Sequence, residues 1–233
     1  RVSFISCTET ITSTTEPRMA VRGFRDASMR RAIEAVAEGR AQGVVSAGNT
    51  GAYMALSKLI LKTLEGIYRP AIISTLPTMG KPVVMLDLGA NVDITPEVMV
   101  QFCLMGQAFA KAVLHNPNPS VALLNVGSEE LKGTTNVKEA HQIIQKTDLV
   151  KNYRGYVEGD DIFKEKVDVI VTDGFTGNVA LKTIEGSVKF FAHTLKTELS
   201  RSWISKIGAL LAKPAFDAFK NRVDPRYYNG APF

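Results

Sequence analysis

Four apolar runs along the chain each end in a polar, glycine-bearing turn, and a helical pattern follows each turn. They are VVSAGNTG (residues 44–51), VVMLDLGANVD (83–93), VALLNVGSEELKG (121–133) and VIVTDGFTGN (169–178). Continuous apolar runs of this length read as parallel strands buried on both faces. The pattern predicts helices over 27–38, 50–64, 96–114, 137–145 and 178–199, and strands over 43–47, 71–76, 82–88, 121–126, 153–157 and 167–172. Asp26 reads as the N-cap of the first helix, and Thr95 followed by Pro96 announces the third. Strands alternating with helices predict an α/β fold with a mainly parallel sheet flanked by helices. No linker divides the chain, so one α/β domain over residues 1–233 is expected. The chain starts at Arg1 and stops after Phe233, and both ends read as truncated.

In such a sheet, ligands bind outside the carboxyl ends of the strands. Four turns of one kind therefore predict one shared crevice for a small anion. Ser46, Gly48, Asn49, Thr50 and Gly51 form the first turn, where glycines admit a ligand to the backbone and a helix N-terminus attracts phosphate. An ordinary strand-to-helix turn uses the same residue types. In the second, Asp87 ends an apolar run and needs a buried partner. Asn91 and Asp93 follow it, Asp93 reading as a turn or cap residue. The third puts Lys132 at a strand end, as a solvated lysine or as a cation facing phosphate or a developing oxyanion. The fourth holds Asp173, Gly174, Thr176, Gly177 and Asn178, with Lys182 one helical turn further on. Asn178 reads as an N-cap or as a donor to an acyl carbonyl.

Composition narrows the chemistry. Of 233 residues, 45% are hydrophobic and 22% charged, as in an ordinary globular protein. His115, His141 and His193 have no metal-ligand spacing, and Cys7 and Cys103 lie outside the turns. No metal and no cofactor is expected, and a covalent acyl-cysteine is disfavoured. Phosphate itself would be the nucleophile, with the protein supplying position and charge. The P-loop and dinucleotide fingerprints are absent.

The net charge is +5, and residues 196–226 hold seven basic against three acidic side chains. Within this basic stretch, Trp203, Ile207 and Leu210 share one helical face, Leu211 lies beside them, and Phe216 and Phe219 follow Pro214. Residues 196–222 therefore read as projecting amphipathic helices that contact a membrane surface, form a dimer, or do both. No nucleic-acid-binding motif accompanies the charge.

The segments SAGNTGA, LDLGANVD, ALLNVG, VTDGFTGNVALKTIEG and YNGA together resemble the phosphate acyltransferases of bacterial phospholipid synthesis, over most of the chain. The resemblance implies an isopropylmalate-dehydrogenase-like α/β/α fold, a homodimer, and conversion of acyl-acyl carrier protein and inorganic phosphate to acyl phosphate and free carrier. The acyl phosphate would pass to a membrane glycerol-phosphate acyltransferase. It also implies catalytic roles for Lys132 and Asn178 and peripheral membrane attachment through the helices around residues 203–219. The cytoplasmic location expected for the chain comes from its two cysteines, far apart and without redox spacing, which fit a reducing compartment. The family's N-terminal Asp-x-Met-Gly-Gly-Asp and C-terminal Lys-Ser-His-Gly segments have no counterpart in this chain. Rival expectations are a coenzyme A-dependent phosphotransacylase, a dehydrogenase of the same fold class, and a non-catalytic membrane-surface scaffold.

Overall fold

The computed structural model describes residues 2–223 and 231–232. The chain divides into two compact units, residues 1–70 and 71–233.

The first unit is helical: α1 (Pro17–Arg22), α2 (Ser28–Ala37) and α3 (Thr50–Ile60). Ala20, Met29, Ile33, Ala52 and Leu56 form its core. The strand expected over 43–47 is absent. No strand stands among the described residues of this unit to pair with it, and Val45 is 98% exposed. Val44 instead packs on the helical core, and its carbonyl accepts the Tyr53 hydroxyl. Asp26 is not the cap of α2. Ala27 holds that place, while the Asp26 carboxylate accepts from the backbone and hydroxyl of Thr8.

The second unit carries the sheet. Its strands are β1 (Ile72–Leu76), β2 (Val83–Leu86), β3 (Val121–Leu124), β4 (Tyr153–Val157), β5 (Val169–Val171) and β6 (Ala231–Pro232). They lie in the order β4-β3-β5-β2-β1-β6. The pairs β4/β3, β3/β5 and β5/β2 are parallel, whereas β2/β1 and β1/β6 are antiparallel. The sheet is thus mainly parallel, as the continuous apolar runs require. Every residue of β2, β3 and β5 is buried.

Alternate side chains of these strands face opposite layers. Val83, Met85, Ala122, Leu124 and Ile170 join a cluster covered by Ala180, Leu181 and Ile184 of α6 (Gly174–Leu199). On the other face, α4 (Pro96–Val113) crosses β2, β5 and β3, with Gly106 set close against Leu86 and Val169. α5 (Thr135–Thr147) packs beside α4. Burying this many aliphatic side chains, at roughly 1.5–3 kcal/mol each, is the main force holding the layers together. The chain continues through α7 (Trp203–Leu211) and α8 (Lys213–Val223), neither of which buries a residue. The helical run from Trp203 is interrupted at Ala212, as the proline leads one to expect, and Pro214 sits in the first turn of α8, where no backbone donor is needed.

Candidate active site

Three of the four predicted turns follow β2, β3 and β5, which are adjacent and parallel. Their carboxyl ends therefore share one edge of the sheet. The turns are also bonded to each other. Gly174 donates its N–H to the Asn91 carbonyl at 2.8 Å, and Asp87 donates to the Thr172 carbonyl at 3.1 Å. A Cβ at Gly177 would stand 1.9 Å from the Asp87 carbonyl oxygen, and one at Gly174 would stand 2.5 Å from that of Asn91. Only glycine lets the start of α6 approach the second turn this closely. Just past the third turn, the Asn136 side chain at the start of α5 donates to the carbonyl of Ile94, just past the second turn, at 2.9 Å.

Asp87 organises the second turn from inside. Its side chain is fully buried and accepts from the backbone N–H groups of Ile72, Gly89, Ala90 and Asn91 and from the Asn91 amide, at 2.7–3.1 Å. With five donors its oxygens are committed to the protein, so Asp87 and Asn91 shape the crevice rather than reach into it. Asp173 is likewise committed. It caps α6, accepting from the Thr176 N–H at 2.8 Å and hydroxyl at 2.7 Å. The N-cap is therefore Asp173 and not Asn178, which leaves the Asn178 side chain exposed in the second helical turn, against Gly89. Lys182, four residues on, is exposed and paired with Glu185 at 2.9 Å.

Lys132 lies in the third turn, half exposed, with its ammonium 2.7 Å from Glu129. That pairing raises the lysine pKa, first through the Glu129 hydrogen bond and then through its charge. Lys132 is therefore a cation at neutral pH. An exposed pair of this kind contributes little stability, so an incoming anion can take over the ammonium. The backbone here is set by Asn125, which the sequence reading passed over. Buried at the end of β3, its amide donates to the Gly127 and Lys132 carbonyls at 3.1 Å each. A polar residue closing an apolar strand was the available signal.

The first turn belongs to the other unit. Asn49 caps α3, accepting from the Ala52 N–H at 3.0 Å, and its amide donates to the carbonyls of Thr12, Ser13 and Thr15. The Ser46 hydroxyl accepts from the Gly48 N–H. Gly48 and Gly51 pack close to Met29 and Pro17. Ser46 and Thr50 are exposed.

The thiol of Cys103 is sealed inside α4, and burial pushes its pKa far up, so it offers no thiolate. His141 is buried in α5 with Nδ1 2.8 Å from the Tyr153 hydroxyl. Among the described residues, no group of three or more His, Cys, Asp or Glu side chains is placed to hold a metal. Apolar side chains stand exposed on the same three turns: Val92, Val126, Leu131, Phe175 and Val179.

The fold is an α/β sheet, mainly parallel and flanked by helices, with three strand-end turns gathered at one edge. A crystal structure of a phosphotransacetylase from Streptococcus pyogenes superposes with a TM-score of 0.57, at 19% identity, over 71% of this chain and 56% of that one. The sequence is more specific. The family described as "Fatty acid synthesis protein" matches residues 1–233, and the chain belongs to it. A protein named phosphate acyltransferase from Methylococcus capsulatus is 51% identical over 93% of this chain and 63% of its own length. One of the same name from Rhodospirillum centenum is 53% identical over 94% of this chain and 61% of its own length. The chain thus spans somewhat less than two thirds of these relatives. The YNGA motif (residues 228–231) lies, except for the backbone of its last residue, outside the described residues.

Proposed function

We propose that this chain carries the acyl-transfer site of an enzyme that converts acyl-acyl carrier protein and inorganic phosphate into acyl phosphate and free carrier, for phospholipid synthesis. The observation that carries the reading is the bonded set of three turns, which presents a cation, Lys132, and an uncommitted amide, Asn178, amid exposed apolar side chains. Phosphate oxygen attacks the thioester carbonyl, a C–O bond forms, and the C–S bond breaks to release the carrier thiolate. Lys132 offsets the phosphate charge and the Asn178 amide donates to the carbonyl oxygen as it becomes an oxyanion. The exposed apolar side chains receive the acyl group. The names and identity of the relatives support the same reading.

The test is full-length protein incubated with acyl-acyl carrier protein and phosphate, with acyl phosphate measured directly. Lys132→Ala and Asn178→Ala should each lower kcat/KM about tenfold or more while leaving thermal stability nearly unchanged, because both side chains are exposed. Absence of product with the parent protein overturns the reading. Product from acyl-coenzyme A but not from the carrier substitutes a coenzyme A phosphotransacylase.

The same proposal includes a cytoplasmic homodimer that meets the membrane through α7 and delivers acyl phosphate to a membrane glycerol-phosphate acyltransferase. Among the described residues no helix is long and apolar enough to cross a membrane. Trp203, Ile204, Ile207, Leu210 and Leu211 are exposed on α7, consistent with surface attachment. Phe216, expected among these contacts, is half-buried and turned to the interior of the helical layer. Flotation with anionic vesicles should fall sharply in a Trp203→Glu/Leu210→Glu variant, and unchanged flotation removes the membrane claim.

A further inference from the structure

The back half of α6 and the helices α7 and α8 enclose a groove of about 660 Å³. Its wall is formed by Val188, Leu195 and Leu199 of α6 and by Phe216 and Phe219 of α8. This volume is in the range of small-molecule sites. Each of the three helices also contributes one lysine to the groove: Lys196, Lys206 and Lys220. None of these ammonium groups has a carboxylate partner among the described residues, because the nearby acids are already matched. Glu198 holds Arg201, Asp217 holds Lys213, and Glu185 holds Lys182. An apolar trough carrying three lysines with no carboxylate partner among the described residues suits one kind of ligand, a hydrocarbon chain with an anionic head.

We propose that this groove binds a single-chain anionic amphiphile, namely the long-chain acyl phosphate, holding its chain against α6 and α8 and its head near the lysines. The occupant's identity rests on the acyltransferase reading, because acyl phosphate is that reaction's product. The groove is a different place from the strand-end turns. It is lined entirely by residues 188–223, while Lys132 and Asn178 lie elsewhere. The product would thus be held on the helical layer that bears the exposed apolar face of α7, instead of entering water as a free amphiphile.

Dodecyl phosphate, a stable analogue, serves as the probe, titrated into the full-length protein below its micelle concentration by calorimetry. It should bind at one site per chain, whereas dodecyltrimethylammonium should not. Shortening the chain to decyl should weaken binding on the order of tenfold, since each buried methylene contributes about fourfold. Lys206→Glu/Lys220→Glu and Ala209→Trp, the second chosen to fill the groove, should each weaken dodecyl phosphate binding at least about tenfold. Neither α7 nor α8 buries a residue, so both variants keep the core intact. Equal binding of the cationic and anionic amphiphiles, or unchanged binding in Ala209→Trp, overturns the proposal. So does conversion of a dimer to a monomer by Ala209→Trp with dodecyl phosphate binding retained, which would make a second copy the occupant. Turnover without dodecyl phosphate binding defeats the groove and leaves the acyltransferase standing. Binding without turnover does the reverse.

Discussion

Two long helices of the sheet-bearing unit look alike along the chain and live in different surroundings. α4 has 18 residues and buries ten of them, including Phe102 and Cys103 at zero exposure. α6 has 26 residues and buries two, both glycines at its first turns. Each carries an apolar stripe with scattered polar residues. In α4 the polar Gln107 is drawn inside and donates to the carbonyls of Pro119 and Lys151. In α6, Phe190 and Phe191 remain more than 60% exposed. One helix is fastened to the sheet along its length. The other is fastened at its start, where the candidate chemistry is, and leaves its far half to other work.

The largest break in this comparison comes from truncating equivalent aromatics. Phe102→Ala in α4 should cost about 3–5 kcal/mol in denaturant unfolding, since it empties a filled core. Phe190→Ala in α6 should cost no more than about 0.5 kcal/mol, as surface changes do. Similar losses at the two positions would show that the exposed half of α6 is covered in solution.

A smaller contrast lies within α6. Gly177→Ala pushes a methyl group into the Asp87 carbonyl and should destabilise by about 1–3 kcal/mol, with loss of acyl phosphate formation. Gly186→Ala meets nothing within 4 Å and should stabilise by up to about 1 kcal/mol, through helix propensity alone. If Gly177→Ala is neutral in both stability and turnover, the contact between the second and fourth turns is not what shapes the site.

The smallest effect is a pH dependence beside α4. Burial lowers the pKa of His141 on α5 below its ordinary 6.5, opposed by the charge of Glu130. The unfolded chain then binds a proton that the folded chain excludes. Stability from this group is complete above about pH 6.5 and falls as the pH drops below it. Unfolding free energies measured at pH 7.5, 6.0 and 5.0 should decline less steeply in His141→Gln than in the parent. Identical slopes would show that His141 protonates in place without cost.

Much of this was legible along the chain. Continuous apolar runs marked β2, β3 and β5 as buried parallel strands, because alternate residues face two covered sides and all must be apolar. Thr95 and Pro96 marked the start of α4. The run at residues 43–47 misled because a strand exists only where a neighbour accepts its hydrogen bonds, and partners are not written locally. Asn178 was read as a possible cap, but one side chain can cap a helix and Asp173 arrived first.

The sequence by itself determined the family, the layered α/β order and the polar turns, since periodicity and residue type are local properties. Tertiary structure alone decided which turn residues are free. Asp87, Asn91 and Asp173 spend their hydrogen bonds on the protein, while the Asn178 side chain stays exposed and Lys132 is held by the exposed Glu129. It also turned the basic stretch into a lysine-rimmed groove. Both follow from one physical fact: a polar group's availability depends on every partner the fold brings within about 3 Å, and those partners are far apart in the chain.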